Sequence, residues 1–338
     1  GLAPNDDLLR RSAEGEGLTR PELAVLLATA KLAMQDAVEN RGLGEDEALR
    51  TDLHQAFPTA MRKKYADAID QHRLRGEIVA TVLANRIINR LGVLHPFELA
   101  EEEGAAMGDI AAMFVVAERL FGLPALWNEI EEADISEAAR IALFDEVAVA
   151  TRSQIADLLR VCKPGASPGE VIDWLKPGIA NLDKQAKHLL LEEVKAQSGR
   201  ISTRLEDAGA PRALAKKVVR IFELDGAVGL ADLGQREGID ETTLTRAFTR
   251  LGQALGLDWA QAVAARIDTG DPWERLLVAG LARDFQQLRL DFLGKVDGSD
   301  PQERVENWLE TNASRVEQFV QLVGRARCAG CHLDLPAQ

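Results

Sequence analysis

A chain of 338 residues with 46% hydrophobic and 28% charged residues is large enough for one big domain, or two to three ordinary ones, each with a real core. Its net charge of −14 argues against nucleic acid and anionic membrane as partners, since both call for a basic surface. No apolar run approaches the ~20 residues of a membrane span, and three cysteines make no disulfide framework. The expected setting is cytoplasmic, with no nucleic acid and no membrane as partner. The chain starts at Gly1 rather than Met, as a piece of a longer polypeptide would.

Almost every segment repeats its apolar residues at helical period, so the sequence predicts an all-α, multi-helical fold with no substantial sheet. Thr19 and Glu22 spell a capping box, with Pro21 tolerated in the first turn. Leu23, Leu26, Leu27, Ala30 and Met34 continue that helix, and Arg41 to Asp52 reads as a polar connection. Pro58 opens a long helix or helix pair to Leu91, with Gly76 a candidate kink and Gly92 a stop. Within it Glu77, Thr81, Asn85 and Asn89 recur every four residues and so line one side. Asp109 to Phe121 is a further helix, and Ser136 starts another that runs to about Leu159.

Lys163-Pro164-Gly165-Ala166-Ser167-Pro168-Gly169 is the strongest breaker cluster. It suggests a first helical unit over 1–162, a linker over 163–169, a second unit over 170–326 and a disordered tail over 327–338. A second breaker, Asp297-Gly298-Ser299-Asp300-Pro301, precedes a last amphipathic helix from Gln302 to Arg325. The two units look related. Gly104, Ile110, Phe114 and Gly122 align with Gly238, Leu244, Phe248 and Gly256 at a constant offset of 134, and Trp127 with Trp259 after a slip of two.

Two segments carry a family resemblance. One is Gly17-Leu18-Thr19-Arg20-Pro21-Glu22-Leu23-Ala24-Val25-Leu26-Leu27-Ala28-Thr29-Ala30-Lys31-Leu32. The other, within residues 57–92, runs from Phe57-Pro58 through Tyr65-Ala66-Asp67-Ala68-Ile69 to Leu91-Gly92. Both resemble the C-terminal helical region of the large bacterial NAD-specific glutamate dehydrogenases, and Phe121-Gly122-Leu123-Pro124-Ala125-Leu126-Trp127 is a looser match. Gly76 stands where that family usually carries a bulkier residue, and Val93-Leu94-His95-Pro96 departs from its usual continuation. The resemblance implies a parent polypeptide that deaminates L-glutamate to 2-oxoglutarate and ammonium, with NAD accepting the hydride. It also implies, as partners, the catalytic domain of the same polypeptide and further copies in a homo-oligomer. None of the family's catalytic motifs is present, so the expectation is no catalytic residue and no cofactor in this chain, NAD belonging to the parent. An autonomous helical scaffold or interaction protein is the alternative.

The candidate chemistry is sparse. Cys328-Ala329-Gly330-Cys331-His332 spells a c-type haem attachment, or three ligands of a zinc site with Cys162 as the spare fourth. A frayed tail is the plainer reading. Residues 231–248 spell a helix-turn-helix, but Gly226 to Ala260 carries five acidic against three basic side chains. A structural helix-turn-helix fits that charge better than a DNA reader. No dinucleotide fingerprint or P-loop occurs. The five histidines at 54, 72, 95, 188 and 332 are scattered, and His72 reads as a packing residue. What remains is the polar constellation Arg73, Arg75, Glu77, Thr81, Asn85, Arg86 and Asn89. Asn is a poor mid-helix residue, so Arg73, Glu77, Thr81, Asn85 and Asn89 are the candidate docking interface.

Overall fold

The computed structural model describes residues 5–189, 192–264, 271–295 and 300–330. Among these residues every regular element is helical and none is a strand, as the periodicity predicts. Contacts gather them into two compact units, residues 1–118 with 163–171, and residues 119–162 with 172–338.

The first unit begins with α1 (Asn5–Ala13) and α2 (Arg20–Arg41). The Thr19 backbone N–H and hydroxyl both donate to the Glu22 carboxylate at 2.7 Å, which is the predicted capping box. Arg11 of α1 donates to the same carboxylate at 2.5 Å. This guanidinium, with the Thr19 donors, pulls Glu22 down to about 2. Gly42 ends α2 in the left-handed region at φ 71°.

The stretch expected to be a polar connection is instead folded and partly buried. Two short 3-10 turns, Leu43–Glu45 and Glu47–Leu49, lead into α3 (Arg50–Gln55), and Leu43, Leu49 and Leu53 are core residues. Gly44 is required there, because a Cβ on it would meet Gly76 Cα at 2.6 Å. The expected long helix from Pro58 is three helices: α4 (Thr59–Lys64), α5 (Ala66–Asp70) and α6 (Arg75–Leu91). Arginines of the following helices tie up carbonyls at the ends of α3 and α5. Arg62 donates to the Phe57 and Gln55 carbonyls. Arg75 donates to the Asp70 and Gly44 carbonyls, both at 3.1 Å. α7 (Leu94–Glu103) and α8 (Met107–Leu120) follow, and Phe114, Ile110, Leu99, Leu83, Ile87 and Met34 are fully buried core.

The breaker run belongs with this first unit. Gly165 N–H donates to Asp109 Oδ1 at 3.1 Å, the Ala166 carbonyl accepts from Arg41 at 2.9 Å, and Ser167 Oγ donates to Asp46 at 2.6 Å.

The second unit contains α9 (Leu123–Glu132), α10 (Glu137–Val161), most of α11 (Pro168–Leu189), α12 (Glu192–Asp207), α13 (Arg212–Glu223), α14 (Ala227–Glu237), α15 (Glu241–Leu255), α16 (Leu257–Ala264), α17 (Pro272–Leu293), α18 (Pro301–Thr311) and α19 (Ala313–Gly330). Ser136 caps α10 by accepting from Ala139 N–H, as its sequence suggests. α10 packs on α13 and α14. The last predicted helix is split at Asn312, whose side-chain amide donates to the Trp308 carbonyl at 2.9 Å. The aligned segments share one local pattern of helix, left-handed glycine, helix, left-handed glycine and helix. Gly104 and Gly238 sit at φ 61° and 67°, Gly122 and Gly256 at 64° and 68°.

α17 departs from an ordinary surface helix in part of its pattern. It buries Arg283, Gln286 and Arg289 while Trp273, Leu277, Leu281 and Leu288 stand 46–73% exposed.

Candidate functional site

α6 carries the polar row, and the structure divides the predicted constellation between two faces. Glu77, Thr81 and Asn89 are exposed, Asn85 is half-buried, and Arg73 is exposed in the turn before the helix. Thr81 Oγ1 donates to the Glu77 carbonyl and Asn85 Nδ2 to the Thr81 carbonyl, each at 2.8 Å. This back-bonding explains how Thr and Asn are accommodated mid-helix.

Arg86 points the other way, toward a buried cluster that the sequence did not reveal. It pairs with Asp52 Oδ1 of α3 and, at 2.8 Å, with Glu118 Oε1 of α8. Asp52 is 2% exposed and Glu118 fully buried. Burial alone would lower the guanidinium pKa, yet Glu118 and Asp52 hold it above its ordinary value. The pairs span 34 and 32 positions of chain, and no local spacing signals such contacts. Their chemistry is that of a structural tie between three helices.

His54, His72 and His95 are similarly engaged. His54 lies 2.6 Å from Asp70, which Arg50 grips with two bonds. Arg50 first, then His54, holds that carboxyl well below the usual range. His72 accepts from Leu74 N–H at 3.1 Å and meets the Phe57 ring edge-on at 5.6 Å. His95 faces Glu98 at 3.4 Å.

Among the described residues no group of three His, Cys, Asp or Glu side chains could hold a metal. Cys331 and His332 lie outside the described residues, as do the side chain of Cys328 and most of the tail over 327–338. Cys162 is a half-buried free thiol, pushed up to about 11 by burial and then by Asp232. It is poorly suited to act as a thiolate.

The helix-turn-helix exists as α14, Gly238 and α15, with Asp240 capping α15 through Thr243 N–H. Its second helix packs on α17 and α18. Arg250 is held by Glu306 at 2.6 Å and 3.1 Å, and Phe248 lies under the Arg289 guanidinium at 4.0 Å. A cavity of about 10 Å³ lined by Asp157, Arg160, Gly229, Arg283 and Gln286 has room for one water and no substrate. No single helix among the described residues is long and apolar enough to cross a membrane.

Comparison with known proteins identifies what these helices belong to. The chain is similar to NAD-specific glutamate dehydrogenases of Halomonas elongata (27% identical, covering 95% of this chain and 20% of the relative) and Pseudomonas aeruginosa (27%, covering 97% and 21%). It is also similar to that of Mycobacterium tuberculosis (26%, covering 97% and 21%). It thus spans about one fifth of the length of these relatives. The family described as "Glutamate dehydrogenase, C-terminal" matches residues 15–334, so the chain belongs to the glutamate dehydrogenase C-terminal family.

Proposed function

We propose that this chain is the C-terminal helical region of an NAD-dependent glutamate dehydrogenase, a cytoplasmic, oligomeric enzyme of amino-acid catabolism. In this reading hydride transfer from L-glutamate to NAD takes place in the preceding part of the polypeptide. The helical region packs and docks, and contributes no group that touches the reacting atoms. The observation that carries the reading is the family match over residues 15–334. The relatives' names support the reaction and the cofactor.

The polar row along α6 and the turn before it is part of the same proposal. Arg73, Glu77, Thr81, Asn85 and Asn89 would meet the catalytic part of the polypeptide or a neighbouring subunit through directional hydrogen bonds. Thr81 and Asn85 each still offer an acceptor oxygen after donating to the helix backbone.

The test is glutamate-dependent NADH formation, assayed with this chain alone and with the full-length polypeptide. Turnover by the full-length protein and none by the chain is the expected result. Turnover by the chain alone would overturn the placement of the chemistry. Changing Asn85 and Asn89 to Ala in the full-length protein tests the row, and unchanged activity and assembly would remove it from the proposal.

A further inference from the structure

The first half of α2 is apolar from Leu23 to Ala30 and only partly covered by the unit it belongs to. Leu23, Val25, Leu26 and Leu27 are 49, 42, 37 and 39% exposed. No residue from Leu23 to Thr29 is buried. Burial starts only at Ala30 and continues at Met34 and Val38, on a helix that packs against α6. From Leu23 to Ala30 there is no charged side chain and a single polar one, Thr29. Its hydroxyl is turned back onto the Val25 carbonyl at 2.8 Å, which hides its polarity. A helix that is hydrophobic all round belongs in a core, not in water.

The helix start is fixed rather than frayed. The Thr19–Glu22 cap and the Arg11–Glu22 pair, both side chains 11% exposed, hold its first turn. The apolar segment is therefore presented as a preformed helix. Ala24 and Ala28, one turn apart, leave one side low enough for a close approach.

The length of the relatives bears on what could cover it. The family match begins at residue 15, one turn before α2, and the relatives are about five times longer than this region. In a protein of that length, with this region C-terminal as the family's description has it, most of the polypeptide lies on the α1–α2 side. A surface on it is tethered close by, at an effective concentration on the order of millimolar. We propose that the first half of α2 is a docking helix that seats Leu23, Leu26 and Leu27 in an apolar groove of the polypeptide preceding this region. This rests on the reading that the region belongs to a full-length glutamate dehydrogenase.

The experiment uses the full-length polypeptide with a cysteine introduced by Leu26→Cys or, as a control on exposed Lys63 of α4, by Lys63→Cys. The rate of reaction with a bulky maleimide is read peptide by peptide by mass spectrometry, in native buffer and in urea. The expected result is at least tenfold slower labelling at position 26 than at position 63 in native protein. In urea the two rates should match, and dilution from micromolar to nanomolar should leave the native protection unchanged. Equal native labelling in a polypeptide that reduces NAD with glutamate overturns the docking helix and leaves the enzyme assignment standing. Protection lost on dilution assigns the face to a second copy and overturns the proposal. A wild-type polypeptide that shows no glutamate-dependent NAD reduction overturns the enzyme reading and, with it, this proposal.

Discussion

The most demanding test of the packing in the second unit is Arg289→Met. Arg289 is 2% exposed. Its guanidinium donates to Asp258 and to Gln261, both at 2.6 Å, and to the Phe285 carbonyl at 3.2 Å. It also covers the Phe248 ring. Burial lowers its pKa, and Asp258 is the group that most opposes this. Methionine fills much of the same volume but removes the guanidinium that pairs with the Asp258 side chain, itself 10% exposed. Breaking a buried pair from one side costs roughly 3–5 kcal/mol, because the remaining charge has lost its compensation. For a unit of this size that lowers the melting temperature by about 6 °C or more. All five tryptophans, 127, 174, 259, 273 and 308, lie in the second unit, so their fluorescence reports its unfolding directly. The double change Arg289→Met with Asp258→Leu removes both charges and should recover most of the loss. A single-variant loss below about 1 kcal/mol, or a double variant no better than the single, would refute the claim that this ion pair is the electrostatic centre of the α15–α16–α17 packing.

Three further outcomes follow from particular residues. Gly44→Ala should destabilise by about 1–3 kcal/mol, since its Cβ would press on the Gly76 backbone. Gly76→Ala meets nothing within 4 Å and should be neutral or stabilising by up to about 1 kcal/mol; helical circular dichroism in urea would rank the two, and the reverse order would sink the argument. Asp157, 7% exposed, is raised well above the usual carboxyl range by burial and then by Asp225. The folded state therefore holds a proton that the unfolded state releases above about pH 4, and stability falls as pH rises through that window. Asp157→Asn can still accept from Gly226 N–H, so its stability relative to wild type should increase from pH 4 to pH 7; a flat difference would contradict the assignment. With its thiol pushed up to about 11, Cys162 should be alkylated at pH 8 about two orders of magnitude more slowly than an ordinary exposed thiol, as peptide mass spectrometry would show.

The parts of this fold legible in the sequence are those governed by local chemistry. The Thr19–Glu22 cap, the Ser136 cap and the glycine stop at 92 each act within four residues. What escaped is decided at long range. The stretch from Arg41 to Asp52 looks polar because six of its twelve residues are charged, yet Leu43 and Leu49 reach the core between those charges. The break between α5 and α6 is made by Arg75, which bonds carbonyls 5 and 31 positions away. In α17 the sequence does not show that Arg283 and Arg289 are buried while Leu277, Leu281 and Leu288 face outward. Of the candidate site, the row on α6 was legible as a row, but Arg86 was counted with it. Only Asp52 and Glu118, more than thirty positions away on either side, show that it faces inward.

The helix-turn-helix shows how charge and packing together decide between readings of one motif. Its spelling depends on an αL glycine, a cap and an apolar stripe, and all three are present at Gly238, Asp240 and Leu244, Ala247 and Leu251. Those features specify two helices joined by a tight turn, and say nothing of what lies on the outer face of the second helix. A DNA reader must leave that face open and basic. Here α17 and α18 pack on α15, Arg250 is neutralised by Glu306, and Phe248 is capped by Arg289. The segment aligned with it around Gly104 is preceded by Glu101, Glu102 and Glu103, and its helix α8 is buried from Ile110 through Glu118. Both copies of the pattern therefore spend their second helix on the interior. The same helix-turn-helix geometry that elsewhere presents a helix to a groove here serves to close a core.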